Sequence, residues 1–234
     1  MAGRPREAIR TWRGDLYACK IYHDDDAWPD AQQWRRLNES VGGHLLVDVP
    51  PGAVCHDAFH GPLGTVATYD AAQCAEVAAQ FSSEQWTIDQ PAAALWTYFT
   101  NDTCRPTTDP AEPCTLGYYP VYVILAQTLD HVRQGLLFAK AHNLRLVIRN
   151  TGHDFLGRSV GWGALVVNTH AFQDVAFVDA WDGPGDYDGP AVTVGAGVEG
   201  RPLLVQAHAR SPPQTVVVGE CPREVCLAVA ATGP

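Results

Sequence analysis

The second half of the chain alternates between the two periods that distinguish strands from helices. Tyr119–Ala126 and Leu144–Arg149 are short runs rich in Val, Ile and Leu, which is typical of buried β-strands. Between them, Asp130–His142 carries apolar residues at helical spacing, including Val132 and Leu136. The pattern therefore predicts a βαβ unit.

Further elements are predicted on both sides of this unit. The predicted helices are Asp30–Asn38, Ala71–Gln80 and approximately Pro202–Arg210. The other predicted strands are Ala164–Asn168, Val175–Val178, Ala191–Val194 and Thr215–Val218. Stretches dense in Pro, Gly, Thr and Asp predict a loop at Pro50–Gly64 and a linker at Pro106–Pro113. We expect an α+β protein with an irregular, Cys-containing N-terminal segment, residues 1–113, followed by a second segment, residues 114–234.

Composition and charge narrow the classes of partner. The 234 residues are 46% hydrophobic, which is enough for a substantial core, and the formal net charge is −10. Because this charge repels phosphate backbones and anionic lipids, we expect neither nucleic-acid nor membrane partners. The first 20 residues carry charges throughout, so no signal peptide is visible in this chain.

The cysteines favour disulfides over a metal site. The seven lie at positions 19, 55, 74, 104, 114, 221 and 226, and none forms a CxxC pair. The segment that holds five of them also contains two glycosylation patterns, beginning at Asn38 and Asn101. Together these features predict a secreted glycoprotein in its full-length form.

The loop that follows the strand Leu144–Arg149 holds the candidate chemistry. Asn150–Ser159 contains two glycines around His153, and glycines allow a ligand to approach the backbone closely. Unpaired N–H groups in such a loop bind phosphate, and a neutral imidazole is a nucleophile. The alternative is a surface turn whose His and Asp only hydrogen-bond the backbone.

These residues resemble the FAD-binding domain of the vanillyl-alcohol oxidase and p-cresol methylhydroxylase superfamily, most closely the fungal oxidases similar to berberine bridge enzyme. The likeness covers most of residues 28–222. It rests on Gly152-His153-Asp154 with Gly157 and Ser159, Phe138-Ala139, Leu144-Arg145-Leu146-Val147, Trp34, Leu37-Asn38, Cys74, Cys104-Arg105-Pro106, Cys114, Gly117, Pro120, Tyr122 and Ala191–Val198.

The resemblance implies roles for individual residues. His153 would be bonded covalently to the 8α-methyl group of FAD, and Cys221 would form a second, cysteinyl bond to the flavin. The pyrophosphate would be lined by Asn150, Thr151, Gly152, Asp154, Gly157 and Ser159. For Cys221 the alternatives are a disulfide with Cys226 or a buried thiol.

The resemblance also implies an FAD-dependent oxidase that transfers a hydride from a small organic substrate to the flavin and then passes electrons to oxygen. In the family a glycine-rich stretch follows the position of Pro222, whereas this chain continues as Arg223–Pro234 without it. We interpret the chain as truncated or frame-shifted, with the catalytic base and substrate pocket expected in the missing part. The competing hypothesis is a non-catalytic flavin-binding remnant.

A nicotinamide-binding fold is a further alternative. Gly195–Gly200 reads G-x-G-x-x-G after a predicted strand and before a predicted helix, with Glu220 placed 20 residues after Gly200. Pro212-Pro213 shortens the unit, however, and no additional βα units follow.

Other groupings predict structure rather than chemistry. His56 and His60 have a spacing that metal ligands use on helices, but their Gly- and Pro-rich surroundings favour a polar loop. Tryptophans are expected to pack in the core or an interface, at Trp28, Trp34, Trp86 and Trp96.

Overall fold

The computed structural model of the chain describes residues 9–10, 13–14, 16–17, 19–219 and 231–232. The chain forms two compact units, residues 1–168 and 169–234. The division of the sequence near Cys114 stays a prediction, and strand β3 of the first segment joins a sheet with later strands. No helix in the described part of the chain combines the length and apolar character needed to cross a membrane.

The first unit contains nine strands and four α-helices among its described residues. The strands are β1 (Ile9–Arg10), β2 (Leu16–Tyr17), β3 (Leu45–Val47), β4 (Ala58–Gly61), β5 (Gly64–Ala67), β6 (Cys114–Thr115), β7 (Tyr122–Leu125), β8 (Leu146–Arg149) and β9 (Leu165–Asn168). The helices are α1 (Ala31–Ser40), α2 (Ala71–Gln80), α3 (Glu84–Asp89) and α4 (Leu129–Ala141), and short 3₁₀ helices occupy Pro51–Cys55 and Thr97–Thr100.

The main sheet has the strand order β3-β7-β9-β8. Strands β7 and β8 are both parallel to β9, whereas β3 is antiparallel to β7. The predicted βαβ unit of β7, α4 and β8 is therefore confirmed, but β9 lies between its two strands. All four residues of β9 are buried, as expected for a parallel strand covered on both faces.

Helix α4 packs closely on the main sheet. A Cβ added to Gly135 would lie 2.9 Å from Ile124 of β7 and 2.9 Å from Val167 of β9. The ring of Trp34 from α1 lies 3.9 Å from that of Tyr122 in β7 and 4.9 Å from that of Phe138 in α4. Trp34 is thus a packing residue, as predicted.

A small sheet, β5-β4-β6, lies in the segment that contains the disulfides. The prediction of a loop over Pro50–Gly64 was wrong for Ala58–Gly61, because β4 pairs with β5 on one side and β6 on the other. Phe59 of β4 is buried, so long-range packing overrides the local Gly and Pro content. Disulfides join Cys55 to Cys74 and Cys104 to Cys114, which confirms the predicted use of cysteine there.

The second unit contains the antiparallel hairpin β10 (Val175–Val178) and β11 (Ala191–Val194), helix α5 (Gly200–His208), and the pair β12 (Thr215–Val216) and β13 (Ala231–Thr232). Its core contains Val198, Leu203, Ala207 and Val216. The predicted bounds of β10 and β11 are confirmed, and the last predicted strand is two residues shorter than expected.

One arginine is buried completely at the carboxyl end of β8. Arg149 has no exposed surface, and its guanidinium donates hydrogen bonds to the backbone carbonyls of Ala93 (3.1 Å), Thr87 (3.0 Å) and Ile88 (3.0 Å). Burial lowers the pKa of Arg149 to about 10, although the charge of Asp48 opposes this shift. Arg149 therefore links helix α3 and the segment after it to the main sheet by hydrogen bonds.

Asp48 is the buried acidic partner in this region. Desolvation raises the pKa of its carboxyl to about 7, against the attraction of the Arg149 charge. Among the described residues, its Oδ2 atom has no hydrogen-bond partner. Ionised Asp48 is consequently poorly compensated, and its protonated form suits the site better.

Replacing Arg149 with methionine is expected to reduce the free energy of unfolding by about 3–5 kcal/mol, because three buried backbone carbonyls lose their hydrogen-bond donor. Urea denaturation followed by circular dichroism measures the change. Arg35→Met, at an exposed position of α1, is the matched control and should leave the midpoint nearly unchanged. Equal midpoints for the Arg149 variant and the unaltered chain would contradict this role.

Asp48 also predicts a pH dependence of stability. Its folded pKa lies above its ordinary value, so its contribution is fully present below about pH 4 and is lost as the pH rises through about 7. Asp48→Asn should therefore gain stability relative to the unaltered chain between pH 5 and pH 8, as measured by urea denaturation. The exposed Asp57→Asn is the control, and parallel stability profiles for Asp48→Asn and the unaltered chain would refute the prediction.

Candidate functional site

The candidate loop begins where β8 ends and leads back to the start of β9. In open parallel sheets, ligands bind at the carboxyl ends of the strands, which is where Asn150 and Thr151 lie. Gly152 has a φ of +85°, and a Cβ at this position would come within 3.1 Å of the Ala93 carbonyl oxygen. The sharp turn before His153 therefore requires glycine.

His153 is held by a carboxylate from a distant part of the sequence. Its Nε2 lies 2.6 Å from Oε1 of Glu84, and the two side chains are 10% and 35% exposed. Glu84 is the first residue of α3, after the N-cap Ser83, where a negative charge interacts favourably with the helix dipole. Because a carboxylate only accepts hydrogen bonds, this contact places the proton of a neutral imidazole on Nε2 and the lone pair on Nδ1.

Asp154 shapes the loop from within. Its carboxylate accepts hydrogen bonds from the backbone N–H of Arg158 and from the Arg158 guanidinium, at 3.0 Å from Nε and 2.8 Å from a terminal nitrogen. Burial raises the pKa of Asp154, but the bonds from Arg158 and from the backbone of Leu156 outweigh it and lower the pKa overall. Asp154, which follows His153 in the sequence, is thus already paired with a positive charge within its own loop.

The predicted residues of this loop lie together in the structure, and their role in cofactor binding stays a prediction. Thr151 is buried, at 2% exposed, while Asn150 and Ser159 are half-buried. Gly157 has a φ of +71°, and a Cβ there would lie 2.6 Å from the Phe99 ring. Gly157 therefore serves the packing of the turn.

The donors of this loop fit a diphosphate cofactor. Backbone N–H groups follow a glycine with positive φ. The Thr, Asn and Ser side chains can donate hydrogen bonds, and the Asp charge is compensated within the loop. Cys221 lies outside the described residues.

Glu84 and Arg149 were missed by the sequence reasoning. Glu84 is 69 residues from His153, and only the helix start after Ser83 distinguishes it in the sequence. Arg149 could have been recognised as a charge that ends an apolar strand. Glu84 also borders a cleft of about 510 Å³, together with Trp96 and Tyr98.

The other candidate groupings are structural. Both ring nitrogens of His56 face backbone carbonyl oxygens, those of Glu112 at 2.7 Å and Arg105 at 2.8 Å. The sulfur atoms near His56 belong to Cys104 and Cys114, which are bonded to each other and therefore are not thiolate ligands. His56 thus links two backbone segments through its ring nitrogens, and the expectation of a polar loop residue rather than a metal ligand stays a prediction.

The glycines of the G-x-G-x-x-G sequence are needed for packing within the second unit. A Cβ at Gly195 would lie 2.3 Å from the Phe172 carbonyl oxygen, and one at Gly197 would lie 2.2 Å from that of His170. Strand β11 pairs with β10 in an antiparallel hairpin, whereas the dinucleotide fingerprint belongs to a parallel βαβ unit. The geometry does not favour the nicotinamide alternative.

Comparison with known proteins agrees with FAD, rather than a nicotinamide cofactor, as the ligand. Residues 120–217 match the family described as an FAD binding domain. The chain is 42% identical over 205 residues to an FAD-linked oxidoreductase of Gibberella zeae, covering 87% of this chain and 34% of that protein. It is 40% identical over 206 residues to a VAO-type flavoprotein oxidase of Thermothelomyces thermophilus, covering 88% of this chain and 34% of that protein.

Similarity extends to solved structures. A VAO-type flavoprotein from Myceliophthora thermophila C1, crystallised at pH 5.0, superposes with a TM-score of 0.78 at 38% identity. The alignment covers 88% of this chain and 36% of that one. Residues 120–217 therefore match the FAD binding domain family, and the chain is similar to fungal FAD-linked oxidoreductases and VAO-type flavoproteins, of whose length it spans about a third.

Proposed function

We propose that this chain supplies FAD-binding residues of an oxidoreductase that transfers a hydride from a small organic substrate to flavin and passes the electrons to dioxygen. The observation that carries the proposal is the His153–Glu84 contact of 2.6 Å, located in the loop at the carboxyl end of β8. This loop lies within the residues that match the FAD binding domain family.

In this proposal each part of the loop has a separate task. The backbone N–H groups around Gly152, with the donors of Asn150, Thr151 and Ser159, bind the pyrophosphate. Asp154 and Gly157 keep the loop in its binding shape. Bound FAD would supply the hydride-accepting chemistry, for which the amino-acid side chains have no equivalent.

We propose that His153 is the covalent attachment point for FAD. It is mostly buried, and its Nε2 contact with Glu84 directs the lone pair of the imidazole to Nδ1. For Cys221 as a second attachment point, the support is its position in the sequence resemblance.

We also propose export of the full-length protein to an oxidising compartment. The two disulfides within residues 55–114 support this, because such bonds persist mainly outside the reducing cytosol. Asn101 of the second glycosylation pattern is exposed at a left-handed turn.

Covalent attachment predicts flavin that survives denaturation. The chain, precipitated with acid, should retain yellow colour and carry FAD adducts on the peptides that contain His153 and Cys221, as measured by absorbance and mass spectrometry. His153→Ala and Cys221→Ala should each remove one adduct, and the double variant should release all its flavin. Retention of acid-stable flavin by the double variant, or a colourless folded chain, would refute the assignment. The matched control is the exposed His60→Ala.

Export predicts a specific pattern of modification. When the chain is directed through a fungal secretory pathway, unreduced peptide maps should show the links Cys55–Cys74 and Cys104–Cys114, with a glycan at Asn101. Asn101→Gln should remove that glycan. Four freely alkylated cysteines and an unmodified Asn101 would contradict export.

A further inference from the structure

We infer that Glu84 is a positioning residue for covalent attachment of FAD: it fixes the tautomer of His153, stabilises the charge that develops on the imidazole as the bond forms, and accepts the Nε2 proton of the substituted ring. This inference rests on the proposed attachment through His153. It adds a role for a residue that lies in a different helix and far away in the sequence.

The contact is suited to this role by distance and by burial. The Nε2 to Oε1 distance of 2.6 Å is short for a hydrogen bond between an imidazole and a carboxylate. The His153 side chain is only 10% exposed, so little solvent is present to replace the carboxylate. In such surroundings a fixed negative charge stabilises a cationic ring more strongly than water-exposed charges do.

Glu84 is itself held in place from two directions. Ser83 caps the helix by accepting a hydrogen bond from the backbone N–H of Trp86. One turn further along, the carbonyls of Thr87 and Ile88 accept hydrogen bonds from the buried Arg149 guanidinium. Because Arg149 ends the same strand that leads into His153, both members of the pair are fixed to the carboxyl end of β8.

The chemical step requires this assistance. The 8α-methyl group of the flavin loses a proton, Nδ1 of His153 forms a bond to that carbon, and the electron pair passes into the flavin ring, which becomes reduced. The substituted imidazole is cationic until its Nε2 proton leaves, and Glu84 is the group that contacts this proton. Dioxygen then takes up the two electrons and two protons as hydrogen peroxide, so the product is the oxidised adduct.

The pH dependence of attachment distinguishes this role from a purely structural pairing. A structural contact would affect how well the chain folds and binds FAD, and its loss would slow attachment by the same factor at every pH. A contact that removes the Nε2 proton affects attachment in a pH-dependent way, because hydroxide replaces the missing carboxylate as the pH rises.

The test measures the rate of attachment directly. The chain is produced without cofactor in a riboflavin-auxotrophic host and mixed with FAD in air-saturated buffer between pH 6 and pH 9. Every chain in this test also carries Cys221→Ala, so that only the His153 link can form. Acid-stable flavin is measured with time by fluorescence in denaturing gels and by intact mass, with an expected gain of one FAD less two hydrogen atoms. Without dioxygen, the attached flavin should remain reduced until air is admitted.

Glu84→Gln is expected to slow attachment by about 100-fold at pH 7, the lower end of the range for a group that takes part in proton transfer with a catalytic imidazole. Its rate should rise more steeply with pH than that of the unaltered chain, while the FAD dissociation constant before attachment changes little. Glu84→Asp keeps the carboxylate and should recover part of the rate. Glu76→Gln, an exposed glutamate of α2, is the matched control and should behave as the unaltered chain.

The outcomes separate this inference from the proposed function. If the unaltered chain acquires no flavin on His153, the proposed attachment fails and the role of Glu84 fails with it. If attachment occurs but Glu84→Gln shows the same rate, or a reduction that is equal at every pH and is not recovered by Glu84→Asp, the inference alone is overturned.

A second measurement does not depend on the folding of any variant. In ¹⁵N NMR of the unaltered, cofactor-free chain, His153 should carry its proton on Nε2. A proton on Nδ1 in the neutral ring would overturn the inference.

Discussion

The buried guanidinium of Arg149 is the constraint on which the rest of the candidate site depends. Three backbone carbonyls from residues 87–93 accept hydrogen bonds from it, and the Pro91 carbonyl of the same segment accepts one from the Asn168 side chain of β9. A charged group without exposed surface is tolerated only where its hydrogen bonds are well satisfied. Arg149 therefore requires α3 to lie at the end of β8.

The position of α3 explains why Glu84 and His153, which are distant in the sequence, lie in contact. Glu84 begins the helix whose last turn Arg149 holds, and His153 lies four residues after Arg149 in the chain. Arg149 consequently helps to fix the positions of both Glu84 and His153. His153 and Glu84 carry the proposed attachment chemistry. The hydrogen bonds of Arg149 therefore both stabilise the carboxyl end of β8 and set the geometry of the site.

Much of the fold is predictable from the sequence, because local patterns decide it. The helix Ala71–Gln80 and the strands Val175–Val178 and Ala191–Val194 have the predicted bounds, and the disulfides lie in the predicted segment. The position of β9 between β7 and β8 and the strand Ala58–Gly61 were not predicted, because strand order and strand pairing depend on contacts between distant segments. Glu84 was missed for the same reason, whereas the histidine loop itself was visible through its glycines and its place after an apolar strand.

The most direct test of the central claim, that the loop 150–159 holds FAD, is a crystal structure of the chain after incubation with the cofactor. The account predicts pyrophosphate oxygens within hydrogen-bond distance of the backbone N–H groups around Gly152, with continuous density from the His153 ring to the flavin. Flavin bound elsewhere, with the loop empty and no density joining the flavin to His153, would contradict it.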